Sequence, residues 1–173
     1  MSVVLDAYAV IAALVGERAR AEVEPLLSRG VVCAPNLTEV LDVCVRVHGN
    51  DEATVRERIG WLLTGGLQVA ALDTALALAA GSLRAKHYRK RLCEVSQGDC
   101  HALALAHERR LPLATSDPHL AQAARAEAVK VIGLPDSRGH RPRRSPEGEP
   151  RHNALRSGRP LTTDGPRGIR VRS

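Results

Sequence analysis

The stretch VVLDAYAVIAALV, residues 3–15, changes character at Asp6. The residues before it, Val3–Leu5, form a short apolar run rich in β-branched side chains, which predicts a buried strand. The Ala-rich segment after it predicts a helix that ends near Val15. The chain therefore passes from a strand straight into a helix, and one acid stands at the junction.

The same succession of strand and helix repeats along the chain. Further strands are predicted at 31–33, 67–71, 111–115 and 129–132, and helices at 19–28, 36–48, 51–64, 73–91, 96–110 and from Pro118 onward. Strands that alternate with helices indicate a mostly parallel sheet with helices on both faces. The sequence thus predicts a three-layer α/β/α sandwich with five strands.

Composition divides the chain into a domain at 1–136 and a tail at 137–173. The domain has 15 Lys and Arg against 16 Asp and Glu, whereas the tail has 10 against 3, so the net charge of +6 arises in the tail. The tail is rich in Arg, Pro and Gly, which predicts disorder because such a segment cannot bury enough surface to offset its ordering entropy. It is either a flexible arm for RNA or an extension without function.

Several classes of function are disfavoured by composition. The chain has one Trp, two Tyr and no Phe, so base stacking on an aromatic platform has little support. The four cysteines form no C-x-x-C pair, which favours reduced thiols over a zinc site. No apolar run reaches the roughly 18 residues of a membrane span, and the first residues carry no secretion signal. We therefore expect a soluble cytoplasmic protein with no membrane partner.

Four acids occupy one kind of place in this pattern. Each stands in the first turn of a predicted helix or in the turn that leads into it. The four are Asp6, Glu39, Asp99 and Asp117. In open α/β sheets such positions gather at the carboxyl edge of the strands, where ligands bind.

Helix capping alone is the competing interpretation for each acid. Asn36-x-x-Glu39 and Ser96-x-x-Asp99 resemble capping boxes, and a single acid before a helix is a common N-cap. The four together favour a metal site, because two carboxylates about 5 Å apart repel by about 3 kcal/mol at an effective dielectric of about 20. Such a cluster either raises its pKa values or binds a cation. Oxygen ligands favour Mg²⁺ or Mn²⁺, which suit phosphodiester hydrolysis.

The residues around these acids resemble the successive motifs of PIN domains. The segments are Val-Val-Leu-Asp6-Ala-Tyr-Ala, Asn36-Leu-Thr-Glu39-Val-Leu, Ser96-Gln-Gly-Asp99-Cys-His-Ala-Leu-Ala and Leu-Ala-Thr115-Ser-Asp117. More narrowly, they resemble VapC toxins of bacterial toxin–antitoxin pairs, in order from about residue 2 to residue 134. The basic stretch ahead of Ser96 is similar to the Leu- and Arg-rich helix of that family.

This resemblance implies a PIN-like fold and an endoribonuclease that needs Mg²⁺ or Mn²⁺. It gives the catalytic and metal-ligand roles to the same four acids, Asp6, Glu39, Asp99 and Asp117. The implied reaction is in-line attack on phosphorus by metal-activated water, which leaves a 5′-phosphate and a 3′-hydroxyl. A homodimer is implied, as is a small antitoxin whose tail occupies the active-site groove and inhibits it.

Two hydroxyl positions bear on this comparison. Tyr8 stands where the family usually has Ser or Thr, whose hydroxyl helps to order the surroundings of the metal. Thr115 keeps the small hydroxyl before the last acid, and we predict that it orients Asp117. The tail is a further departure, since such toxins usually end near the fifth strand.

Other side chains have a functional and a structural interpretation. A basic group near Tyr88 either contacts RNA phosphates or forms a solvated helix face: Arg84, Lys86, Arg89, Lys90 and Arg91. His101 and His119 lie near proposed ligands and are general-base candidates, although ordinary histidines are commoner. Asp42, one helical turn after Glu39, is a candidate for a second metal site. Trp61 is expected in the core or in a dimer interface.

Two further functions remain as alternatives to the nuclease. One is a degenerate PIN module that binds RNA or a protein partner without cleavage, and only Tyr8 points to it. The other is a receiver-like or phosphatase-like domain. Phosphatases of that kind need an Asp-x-Asp pair after the first strand, and Asp6-Ala-Tyr8 lacks it.

Overall fold

A computed structural model describes residues 1–143 of the chain. Its strands are β1 (Val3–Leu5), β2 (Gly30–Cys33), β3 (Gln68–Ala70), β4 (Leu113–Thr115) and β5 (Val131–Gly133). Its α-helices are α1 (Ala7–Val15), α2 (Arg20–Leu27), α3 (Ala34–Asp42), α4 (Glu52–Thr64), α5 (Thr74–His87), α6 (Gln97–Arg109) and α7 (Pro118–Ala126). A π-helical segment, Val43–Val47, continues α3.

The five strands form one parallel sheet in the order β3-β2-β1-β4-β5. Alternate residues of the buried strands face opposite sides, so Val4 joins one apolar cluster while Val3 and Leu5 join the other. The first cluster includes side chains from α5, α6 and α7, and the second includes side chains from α1 to α4. The predicted three-layer α/β/α fold is confirmed.

Two predicted helix ends are wrong. Helix α3 begins at Ala34, with Pro35 in its first turn, so Asn36 lies inside the helix rather than before it. A proline fits the first turn because its missing N–H would have no partner there. Helix α5 ends at His87, and the residues after it form a tight turn closed by the antiparallel bridge between Arg89 and Cys93.

Other expectations about side chains can be compared directly with the structure. All four cysteines are buried free thiols, as predicted. Trp61 was expected either in the core or in a dimer interface. Its side chain is 64% exposed, so the core alternative is wrong. None of the helices between residues 1 and 143 combines the length and the apolar character that a membrane crossing requires.

Ordered contacts continue past residue 136, the predicted end of the domain. The guanidinium of Arg141 donates to the carboxylate of Glu22 and to the Gly133 carbonyl. The compact unit extends to Arg143. Residues 144–173 lie outside the described part of the chain, so the disorder predicted for the tail stays a prediction there.

Candidate active site

The four acids singled out in the sequence line a single cleft at the carboxyl edge of the sheet. Asp6 follows β1, Glu39 lies in α3 after β2, Asp99 lies in the first turn of α6, and Asp117 follows β4. The cleft has a volume of about 470 Å³. Four different helices or helix starts therefore contribute one carboxylate each to the same space.

Three of these acids also cap helices. The Asp6 carboxylate accepts from the Ala9 N–H at 2.8 Å, and the Asp117 carboxylate accepts from the Leu120 N–H at 2.8 Å. Asp99 forms the predicted capping box, in which its Oδ2 accepts from the Ser96 N–H while the Ser96 Oγ accepts from the Asp99 N–H. Each cap fixes one carboxylate oxygen relative to its helix.

Glu39 is held differently, because α3 begins too early for Asn36 to cap it. The Asn36 side chain, which is buried, donates to the Gly98 carbonyl at 3.2 Å and so joins α3 to the start of α6. A Cβ at Gly98 would lie 2.8 Å from the Glu39 Oε2. Gly98 therefore lets the Glu39 carboxylate pack directly against the first turn of α6, beside Asp99.

The two hydroxyl residues take different positions. The Thr115 hydroxyl accepts from the Asp117 N–H at 3.0 Å, which fixes the turn between β4 and α7. Tyr8 lines the cleft, but its hydroxyl donates to the Pro135 carbonyl at 3.2 Å. The phenol thus joins α1 to the segment after β5.

Burial and mutual repulsion raise the pKa values of three of the acids. Burial raises the pKa of Asp6 to about 7, hydrogen bonds from Thr115 and Ala9 oppose the rise, and the charges of Asp99 and Asp117 add to it. The pKa of Asp99 is raised by burial, although hydrogen bonds with Ser96 oppose the rise. The pKa of Glu39 is raised by burial and by the Asp99 charge.

Two further acids, Glu94 and Asp136, line the cleft and are not among the residues predicted from the sequence. Asp136 stands three residues after Gly133, the end of β5, and precedes no helix within residues 1–143, so the positional signal of the other four acids does not identify it. Burial raises the pKa of Asp136, but hydrogen bonds from the backbone N–H groups of His140 and Arg138 outweigh this and lower it. Glu94 accepts from the Arg91 N–H, a contact that depends on the tight turn after α5.

The donor chemistry of the cleft fits a hard divalent cation. Six carboxylates line it, and no Lys, Arg or His is among the lining residues. Oxygen-only donors of this kind suit Mg²⁺ or Mn²⁺. Within residues 1–143, however, no three Asp, Glu, His or Cys side chains converge closely enough to hold an ion. The carboxylates face one space, but three of them are turned toward the helix N-termini that they cap.

The five basic candidates do not line this cleft. Lys86 pairs with Glu127 at 2.8 Å, and Arg84 lies half-buried between α5 and α6. The other three are exposed in the turn after α5: Arg89, Lys90 and Arg91.

Three other candidates are engaged elsewhere. Asp42 pairs with Arg46 on the exposed face of α3. The His119 Nδ1 accepts from the Glu94 N–H at 2.9 Å, next to the cleft. His101 faces a separate cavity.

A family model for the PIN domain matches residues 3–126. The chain belongs to the PIN domain family. This match spans all four acids, β1 to β4 and all seven α-helices, so the predicted family membership is confirmed. No curated protein matches the chain.

Solved structures share the fold of this PIN domain at low sequence identity. A chain of VapBC2 from Rickettsia felis, bound to a promoter DNA fragment, has a TM-score of 0.60 at 14% identity, covering 78% of this chain and 99% of its own. A chain of DNA-bound VapBC from Salmonella typhimurium has a TM-score of 0.57 at 18% identity, covering 76% and 97%. A toxin–antitoxin complex from Klebsiella pneumoniae has a TM-score of 0.52 at 20% identity, covering 67% and 87%.

Proposed function

We propose that this PIN domain is a metal-dependent endoribonuclease that acts as the toxin of a toxin–antitoxin pair. One observation carries the proposal: carboxylates from separate elements line one cleft whose lining has no basic side chain. Such a cleft repels a phosphodiester unless a cation intervenes. A divalent cation bound by the carboxylates would allow an RNA phosphate to bind in the cleft, and this function accounts for the excess of acidic side chains.

In this proposal Asp6, Glu39, Asp99 and Asp117 hold Mg²⁺ or Mn²⁺ and are the catalytic residues. When bound, such an ion supplies Lewis acidity and lowers the pKa of water. The chain itself supplies orientation. The Thr115 hydroxyl fixes the turn at Asp117, and the helix caps hold one oxygen of each aspartate.

RNA contacts are proposed for the basic residues beside the cleft. Arg89, Lys90 and Arg91 are exposed in the turn that leads directly to Glu94, which lines the cleft. From there they can neutralise phosphates on either side of the bond that is cut. Arg84 and Lys86 precede this turn on α5 and complete the proposed basic group.

A small antitoxin protein and a second copy of this chain are the proposed partners, and the cytoplasm is the proposed location. The toxin–antitoxin complexes with the same fold support the antitoxin. Co-expression with the cognate antitoxin should yield a complex that elutes as one species and does not cleave RNA. A toxin that remains active and separate in that experiment contradicts the pairing.

Calorimetric titration with Mn²⁺, followed by an RNA cleavage assay, tests the nuclease. The proposal predicts Mn²⁺ binding and cleavage by the wild type, and loss of both in Asp99→Asn. Asp73→Asn is the matched control, because Asp73 caps α5 through its side chain but lies outside the cleft. Full activity of Asp99→Asn contradicts the site. Absence of Mn²⁺ binding at millimolar concentration favours the alternative of a degenerate PIN module that binds RNA or a protein.

A further inference from the structure

A second cavity, between α5 and α6, shares no lining residue with the acidic cleft. It has a volume of about 220 Å³. Its lining consists of Ala77, Ala80, Gly81 and Arg84 from α5 and Gln97, Cys100 and His101 from α6. The three residues of α6 have the i, i+3, i+4 spacing of one helix face. Asp99, between them in sequence, belongs to the acidic cleft, so the two spaces lie on different sides of the first turns of α6.

Two buried polar atoms of the residues lining this cavity have no hydrogen-bond partner within residues 1–143. They are the Arg84 Nε and the His101 Nδ1. Buried polar groups are nearly always paired in folded proteins, because an unmade hydrogen bond costs free energy. The Arg84 guanidinium also makes no ion pair in that part of the chain. Two such groups at one cavity indicate a ligand that supplies their partners.

The shape and polarity of the walls indicate what this ligand is. Ala77, Ala80 and Gly81 make an apolar wall without bulk, which suits the face of a planar ring. The Arg84 guanidinium lies 4.5 Å from the centre of the Tyr88 ring, a contact that holds its plane. Both helices contribute donors, Arg84 from α5 and His101 from α6, beside the alanines of α5. An apolar surface with donors at its edge suits a planar ring better than a phosphate, which has no apolar face.

We infer that this cavity binds a nucleobase of the RNA substrate, splayed out of its stack, next to the bond that is cut. The inference rests on the proposed function for the identity of the substrate as RNA. Proteins read single-stranded RNA by this means, with hydrogen bonds to the edge of an unstacked base. The α6 helix joins the two sites, because its first turns carry Asp99 on one side and the cavity residues on the other.

The unpaired atoms select for a particular base. An arginine Nε–H can only donate, and a histidine Nδ1 can donate when the proton is placed there. Guanine presents two adjacent acceptors, O6 and N7, and is the base that arginine most often binds. We therefore expect guanine at this position, with Gln97 as a further polar contact. Arg84 and His101 would then determine specificity, apart from the four acids.

A glycine substitution tests the cavity without changing charge. A Cβ at Gly81 meets no atom within 4 Å, and the same holds at Gly60 in the middle of α4. Gly81→Leu should fill the cavity, while Gly60→Leu is a matched helix control that lies outside it. Arg84→Lys is the second variant, since it keeps the positive charge and removes the Nε–H.

Binding of the four nucleoside 5′-monophosphates and of inorganic phosphate can be followed through the NMR amide signals of residues 97–101. We expect GMP to bind about tenfold more tightly than the other three. Gly81→Leu and Arg84→Lys should each weaken GMP binding at least tenfold, and Gly60→Leu should leave it unchanged. Equal binding of all four nucleotides, a response to phosphate alone, or wild-type GMP binding by Gly81→Leu and Arg84→Lys would overturn the inference.

This experiment is separable from the test of the nuclease. GMP binding that Gly81→Leu abolishes, in a protein that cuts no RNA, supports the cavity and refutes the proposed activity. Mn²⁺-dependent cleavage with no preferred base near the cut, together with no selective GMP binding, overturns the cavity and leaves the nuclease intact.

Discussion

Replacing Asp6 with Asn removes a buried charge at the centre of the acidic cleft while preserving the helix cap. Asp6 is 4% exposed, and its carboxylate accepts from the Ala9 N–H. Asparagine caps helices as well as aspartate does, through its amide oxygen. The substitution therefore isolates the cost of holding a negative charge beside Asp99 and Asp117 in the metal-free protein.

The expected gain in stability follows from the pKa of Asp6. Burial raises this pKa from the ordinary value of 3.8 to about 7, and each pKa unit corresponds to about 1.4 kcal/mol, so ionising Asp6 costs the folded state about 4 kcal/mol. Because the folded chain holds the proton more tightly than the unfolded chain, wild-type stability falls as the pH rises between these two values. The Asp6→Asn variant does not lose stability in this way. The difference in free energy of unfolding between the variant and the wild type should therefore grow, in favour of the variant, by about 4 kcal/mol from pH 4 to pH 8.

Urea unfolding followed by far-UV circular dichroism, with EDTA present, measures this difference at each pH. Circular dichroism is preferable to fluorescence, because Trp61 is already 64% exposed in the folded chain. Added Mn²⁺ should then stabilise the wild type through binding to the folded state, and Asp6→Asn much less. Asp73→Asn, which alters a cap outside the cleft, should show neither effect. A wild type and an Asp6→Asn variant with parallel pH profiles would refute the reasoning.

Three other substitutions or truncations follow from individual contacts. Gly98→Ala should lower the rate of RNA cleavage at least tenfold with little change in melting temperature, because the added Cβ displaces the Glu39 carboxylate. A large fall in melting temperature would contradict this. Glu127→Gln should destabilise the chain at pH 7 but not at pH 3 in thermal melts, since hydrogen bonds from α5 lower the pKa of Glu127 and the stability they provide is lost as it protonates. A chain ending at residue 136 should melt below one ending at residue 143, because it loses the contacts of Arg141.

The strands and most helices could be predicted because their signals are local. Each strand coincides with a short apolar run. Five side-chain caps within residues 1–143 each immediately precede their helix: Asp6, Asp51, Asp73, Ser96 and Asp117. Such caps act within one helical turn, so the residues that decide them are adjacent in sequence. The predicted bounds of β1 are confirmed, and the ends of the other strands differ from the prediction by at most two residues, since pairing with neighbouring strands decides where a ladder ends.

The errors arose where a distant partner decides the outcome. Asn36 resembles a cap in sequence, yet its amide binds Gly98, 62 residues away. The basic run after Arg84 continues a helical pattern, but the bridge between Arg89 and Cys93 turns the chain back. The closeness of Gly98 to Glu39 is equally invisible, because it depends on how α3 packs against α6.

Strand order, more than capping, decides which acids share the cleft. Asp73 follows β3 and caps α5 in the same way that Asp6 follows β1 and caps α1. Asp73 is nevertheless absent from the cleft. The acids that line it follow β2, β1, β4 and β5, which are consecutive in the sheet, and β3 lies outside this group, beyond β2. A sequence pattern of strand followed by acid therefore identifies candidates for the site, and the parallel order β2-β1-β4-β5 selects among them. At Asp6, Asp99 and Asp117 the cap has a second consequence. It holds one carboxylate oxygen at the helix N-terminus, so that a carboxylate which repels its neighbours remains in the cleft.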